Sequence, residues 1–286
     1  MRSLVIFAVV AQAGLARGEP ATPVPAGRRL SPRSDAVAAS YSASHRDELS
    51  TRDLRLRAAA PLVRGDGYGM ALLLGYAATQ LDVGLTDLDE HLVLHRFETT
   101  LGGGASLAPG WSLRGSIGAA YSSDLEVATW NALQVTSSVL VHRVLGPSDA
   151  VLAGIIYTSA GELYPVLPSV GYVHQREGSP LRFDVFVPRH ARAEYELSSR
   201  LRCALGIEVN GNNWIVQVAR TEIHARRAGG AVFGELQVAA TQLVRLEARL
   251  GVSVDHYTLP VMADGTTRDQ PLRAAAFGQL AVIVAP

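Results

Sequence analysis

The stretch 191-ARAEYELSSRLRCALGIEV-209 decides the fold. Arg192, Glu194, Glu196, Ser198, Arg200, Arg202 and Glu208 fall on one parity. Ala193, Tyr195, Leu197, Leu201, Cys203, Leu205, Ile207 and Val209 fall on the other. Side chains of a β-strand point alternately to opposite faces, so this reads as one long strand with a charged and an apolar face. Ordinary strands have about five or six residues. A strand of this length, greasy on one side and charged on the other, suits a wall between lipid and water.

The same period of two extends outward in both directions. A weak strand is expected over Val37–His45. Next come Leu54, Leu56, Ala58, Ala60 and Leu62, with Arg55 and Arg57 opposite, and then Met70, Leu72, Leu74 and Tyr76 after a Gly65-Asp66-Gly67 turn. Further strands are expected over His91–Leu107, Trp111–Ser122, Leu133–Val141 and Val151–Tyr157. Others fall over Val166–Gln175, Leu181–Val187, Trp214–Arg226, Ala231–Ala239, Leu243–His256 and Leu272–Val284. Asn210-Gly211-Asn212-Asn213 reads as a hairpin turn. Residues 235–250 are rich in helix formers, which leaves a surface helix open there. Connections at 64–67, 108–110, 146–149 and 177–179 are tight, whereas 83–89, 124–130 and 257–270 are longer and polar. Membrane barrels combine short periplasmic turns with longer outer loops. The count comes to 12–14 strands, and single-chain bacterial barrels need an even number, so the region of Pro188 is where a strand is miscounted if any is.

The chain has 286 residues and equal numbers of acidic and basic groups, so no net field recruits nucleic acid. Every basic residue is Arg; there is no Lys. Codon bias explains that as readily as a lumen lined with permanently charged guanidinium groups. One cysteine, Cys203, excludes an internal disulfide. Residues 1–18 read as a cleaved signal peptide: Arg2, an apolar run from Leu4 to Leu15, then small residues. Residues 19–35 read as a Pro-rich linker, and 36–286 as the barrel domain. The leader is too short to span a membrane as a helix, and no later segment offers eighteen uninterrupted apolar residues.

Only helices and closed barrels satisfy all backbone hydrogen bonds in hydrocarbon. An exported train of long alternating strands is therefore expected to be a transmembrane up-and-down antiparallel β-barrel in the cell outer membrane. Trp111, Tyr121 and Trp214, near strand ends, are expected at the membrane interfaces. A soluble periplasmic β-protein shows the same alternation and stays open as an alternative. With its signal peptide, its strand train and the stretch 163-LYPVLPSVGY-172 leading into 181-LRFDVFVP-188, the chain resembles uncharacterised outer-membrane β-barrel domain families of Gram-negative bacteria. The resemblance covers roughly residues 36–286. It implies outer-membrane lipid and the barrel assembly machinery as partners. The terminal Val282-Ile283-Val284-Ala285-Pro286 departs from the final aromatic residue of many such barrels.

The charged faces supply the candidate site. Arg96, Glu98, Arg114, Arg192, Glu194, Glu196, Arg200, Arg202, Glu208, Glu222, Arg226, Arg245, Glu247 and Arg249 are expected to face the lumen. They either line a path for an unknown small solute or cross-link and fill the barrel. His142, His174 and His224 are further lumen candidates. His91 and His95, four apart on a strand, are spaced too widely for easy chelation. Gly102-Gly103-Gly104 lacks the Lys and helix of a phosphate loop. No serine sits in a nucleophile motif, so catalytic residues, metal ligands and cofactors are not assigned, and a barrel-bound lipid-modifying enzyme is the minority reading.

Overall fold

A computed structural model of the protein describes residues 37–46, 49–85, 88–126, 128–159, 165–218, 221–260 and 267–284. The signal peptide and linker read from residues 1–35 lie outside them. Fourteen antiparallel strands follow one another around a closed ring. They are β1 (Val37–Arg46), β2 (Leu49–Gly65), β3 (Tyr68–Leu85), β4 (Leu88–Ala108), β5 (Trp111–Ser123), β6 (Leu133–Val144) and β7 (Asp149–Thr158). The second half holds β8 (Val166–Gln175), β9 (Leu181–Val187), β10 (His190–Ser198), β11 (Leu201–Val218), β12 (Thr221–Ala239), β13 (Val244–Pro260) and β14 (Thr267–Val284). Each strand pairs with its neighbours in sequence, and β1 closes on β14 through Val37↔Val284 to His45↔Ala276. Closure leaves the ring without an unpaired edge, which is how a barrel satisfies its backbone.

The stretch 191–209 is a hairpin rather than one strand. Residues 199–200 turn, and Tyr195 pairs with Cys203. Residues paired across an antiparallel ladder share a face. Tyr195 and Cys203 are both odd-numbered, so the alternation runs through the turn unbroken and conceals it. Asn210–Asn213 lies inside β11, and the turn expected there falls beyond Val218. Residues 235–250 form the end of β12, a turn and the start of β13, with Glu235↔Arg249 paired; no helix forms. The connection after Leu85 is tight, since Leu85 pairs with Leu88.

Connections alternate between two ends. The turn end carries Val37, Val284 and short turns such as 66–67, 109–110 and 199–200. The loop end carries the three longest connections, 124–132, 159–165 and 261–266.

Every strand turns apolar side chains outward. Tyr41, Leu56, Leu74, Phe97, Ile117, Val139 and Ile155 lie exposed on β1 to β7. Val170, Phe183, Tyr195, Leu205, Val232, Leu250 and Leu280 do so on β8 to β14. Exposure reaches 71% at Leu205 and 74% at Leu250. Soluble monomers rarely expose an apolar patch beyond a few hundred Å². Here the apolar surface is a continuous belt. Inside, the buried residues Leu49, Leu81, Leu94, Trp214, Val216, Ile223, Ala225, Tyr257 and Leu259 form one cluster at the loop end.

That cluster exists because the wall is uneven. β9 has 7 residues and β10 has 9, whereas β11 has 18. β10 accompanies β11 only as far as His190↔Glu208. Beyond it, β11 pairs with β12 alone, while β12 stays on β13 as far as Arg226↔Thr258. Past that point, Trp214–Val218 and Thr221–Ala225 continue as a two-stranded extension to Val218↔Thr221. The extension meets the opposite wall: Ile215 pairs with Ser123 of β5. The hairpin thus crosses the loop-end mouth.

Candidate functional site: a charged lumen beneath an inward hairpin

The inner face is identified by contacts that only inward side chains can make. Arg227 on β12 and Asp53 on β2 are separated around the ring by β13, β14 and β1, yet Arg227 Nη1 lies 3.1 Å from Asp53 Oδ2. The same guanidinium reaches Asp255 of β13, with Nε 3.3 Å from Oδ1. Thr79 donates to Asp53 at 2.6 Å, and Tyr257 lies under Arg227 at 5.6 Å. All three charges are largely withdrawn from solvent. Gly229 makes the arrangement possible, because a Cβ there would collide with the Asp255 carboxylate and the Val254 carbonyl.

A second network fills the lumen nearer the turn end. Arg249 Nε lies 2.6 Å from Glu235 and 2.8 Å from Glu247, and its Nη1 lies 3.6 Å from Glu208. Arg192 pairs with Glu235 and, at 3.1 Å, with Glu194. Gln237 donates to both Glu235 and Glu247. Strands β10 to β13 are thereby tied together by alternating charges. The Arg249 guanidinium also stands 4.8 Å over the Phe233 ring.

A third group lies under the hairpin. Arg96 Nη1 donates to Ser122 at 3.0 Å and to Gln134 at 2.8 Å, and its Nε is 3.4 Å from Glu98. Arg57 is 3.8 Å from Glu98, and Arg55 is 4.0 Å from Asp53. These side chains surround a cavity of about 40 Å³ lined by Arg55, Arg57, Arg96, Glu98, Asn210, Asn212 and Arg227, among others. A space of that size holds water or one small group, not a free-running channel.

The hairpin extension roofs the cavity. Trp214, Val216, Ile223 and Ala225 point down onto Leu49, Leu81 and Leu94 of β2, β3 and β4. Trp214 is 2% exposed and Val216 is fully buried. Polar contacts fasten the roof to the opposite rim. Asp124 accepts from the Gln217 N–H at 2.8 Å, Gln134 donates to the Asn213 carbonyl at 2.7 Å, and Asn131 donates to Glu222 at 2.5 Å.

The residues singled out in the sequence divide accordingly. Arg96, Glu98, Arg192, Glu194, Glu208, Glu247 and Arg249 stand in these networks. Arg114 and Arg245 share the inner parity of their strands, and the charge of Arg245 acts on Glu247 of the second network. Glu196 and Arg202 pair with each other at 3.5 Å beside the turn end. Arg200 is exposed in the turn itself, because the strand that was to carry it inward ends at Ser198. Glu222 and Arg226 are corrected as well. They share the outer parity of β12, opposite Ile223, Ala225 and Arg227, because in the extension it is the apolar side, with Ile223 and Ala225, that turns inward onto the buried cluster.

Among the aromatics, Trp111 is exposed at the turn end, where Arg143 stacks on it at 4.7 Å, and Tyr121 accepts the Thr129 N–H at the loop end. Trp214 lies inside the roof and not at an outer interface. The extension folds inward, so a position that counts as a strand end in the sequence becomes the centre of the apolar cluster.

Of the histidines, His142 lies within the barrel 3.3 Å from Ser112 Oγ. His174 lies on the outer face against Asp149 at 2.8 Å, and His224 is on the upper side of the extension near Asn213. His91 and His95 do not converge; one meets Asp82 and the other Tyr76. The sequence reading passed over Asp53, Arg227, Glu235 and Asp255 as site residues. Parity was the available signal for Glu235, two residues from Phe233 on the inner face. Nothing in the local sequence signals that Arg227 and Asp53, 174 residues apart, will meet.

No protein-family model and no curated protein matches this sequence. Solved structures similar to it include the KdgM porin, 6% identical with a TM-score of 0.39, covering 87% of this chain and 99% of that one. The NanC porin is 9% identical with a TM-score of 0.41, covering 88% and 100%. A Pseudomonas aeruginosa FadL homologue is 9% identical with a TM-score of 0.42, covering 87% and 88%.

Proposed function

We propose that the protein is an outer-membrane β-barrel whose lumen is a path for small solutes, held shut at the loop end by the β11–β12 extension. The apolar belt supports the membrane reading, since water against it is unfavourable by about 25 cal/mol per Å² and hydrocarbon relieves that. The short-turn end, with the described chain ends, then faces the periplasm and the longer loops face outward.

The observation that carries the reading is the roof. A structural plug built only for strength needs no separate apolar layer over a charged lumen. A two-stranded extension anchored in the wall at one side, and fastened by a few hydrogen bonds at the other, can leave without unpairing the ring. The charged network below it remains as a selective lining.

A disulfide clamp tests this. Ser123→Cys and Ile215→Cys, made with Cys203→Ala, place two thiols at paired positions across the mouth. In planar bilayers the oxidised protein is expected to be silent and the reduced protein to show discrete openings. Silence of the reduced, folded barrel, and of a Trp214→Ala variant, would overturn the pore. Solubility without detergent, together with unaltered gel migration on heating, would overturn the membrane reading.

A further inference from the structure

We propose that the cavity beneath the hairpin is a binding site for one small oxyanion group, a carboxylate or a phosphate, held chiefly by Arg55, Arg57 and Arg96. The proposal rests on the solute-path reading and names the class of solute that the path holds.

Charge is the first argument. The cavity wall contributes four guanidinium groups, from Arg55, Arg57, Arg96 and Arg227, and one carboxylate, Glu98. The carboxylates immediately behind it, Asp53 and Asp255, are engaged by Arg227. Three carboxylates therefore face four guanidiniums. Arg189, near Arg57, adds one more positive charge, and Glu208, shared with Arg249, adds one negative charge. Among the described residues around this cavity, guanidiniums thus outnumber carboxylates by one, next to space that an anion can enter.

Geometry is the second. Arg55 and Arg57 stand 4.0 and 3.8 Å from their carboxylates, beyond hydrogen-bond length. Those contacts do not consume their N–H donors. Guanidinium donors form a planar fork that matches carboxylate and phosphate oxygens two at a time. Asn210 and Asn212, on the cavity's β11 side, bring amide groups to the same space. Arg96 is held rigid by Ser122 and Gln134, and Gln134 also holds the hairpin through the Asn213 carbonyl. The anion site and the roof thus share a side chain.

Glu98 makes the proposal sharp. Among the described residues it is the one acidic group in the cavity wall, shared by Arg57 and Arg96. Gly75 gives it room, because a Cβ at that position would strike its side chain. An entering oxyanion competes with Glu98 for the same two guanidiniums. Removing the acid should therefore tighten binding, while removing an arginine should weaken it.

The experiment is equilibrium calorimetry on the refolded protein in detergent, with inorganic phosphate and with acetate as separate probes. Saturable binding to the wild type is expected for at least one. Glu98→Gln is expected to strengthen it roughly tenfold and Arg57→Gln to weaken it at least tenfold, while Arg143→Gln, on the outside, leaves it unchanged. Preference for phosphate or for acetate identifies the source of the oxyanion. No binding by wild type and Glu98→Gln, each with intact heat-modifiable migration, would overturn the site. So would weaker binding by Glu98→Gln. Binding with no conductance in any variant keeps the site and removes the path; conductance without binding does the reverse.

Discussion

Arg227 shows how a single side chain can hold an interior together. Its guanidinium serves two carboxylates from different strands, and each of the three groups is nearly buried. Burying a charge is costly unless a partner sits at contact distance, and removing one partner of a buried pair costs about 3–5 kcal/mol. Arg227→Met is expected to destabilise the barrel by about that amount, because Asp53 and Asp255 would then face each other's charge in a dry site. Adding Asp53→Asn to Arg227→Met should recover a large part of the loss. Urea unfolding of the three proteins in micelles, followed by tryptophan fluorescence, checks both statements. No recovery in the double variant would mean that the methionine fits poorly rather than that the charges are unpaired.

At the scale of elements, the β11–β12 extension sets apart what the sequence discloses from what it hides. Alternation made the strands readable, because one face meets an apolar surrounding and the other a polar interior all round the ring. The same alternation hid the turn at 199–200, since Tyr195 and Cys203 keep parity across it. It failed again at Asn213-Trp214-Ile215-Val216, four consecutive buried residues. There the strand leaves the wall and is covered on both faces, by the inner cluster below and by β5 and its loop beside it. A position's number within a strand does not say whether that strand stays in the wall. Glu222 and Trp214 were placed wrongly for that one reason. The roof's apolar contacts are absent from the ring, so Val216→Asp should lengthen open times in bilayers at least tenfold while the folded, heat-modifiable band persists. Val232→Asp, on the outer belt of the same hairpin, should impair insertion instead. Yield of membrane-inserted protein and single-channel dwell times separate the two effects.

Considered whole, the molecule has three regions with distinct physics: an apolar exterior, a charged interior and an apolar closure over it. The exterior and interior were legible because each strand repeats them. The closure was not, because it depends on the mismatch in length between β10 and β11 and on what stands opposite the mouth. The ring's perimeter is fixed by fourteen ladders, so closure and wall respond to conditions separately. Contact between apolar surfaces weakens on cooling, since its driving force near room temperature is entropic. Backbone ladders in hydrocarbon have no water to replace them. Chilling the bilayer should therefore raise the fraction of time that current flows, even as colder, more viscous solution lowers the current in each opening. The protein would leak more in the cold without unfolding at all.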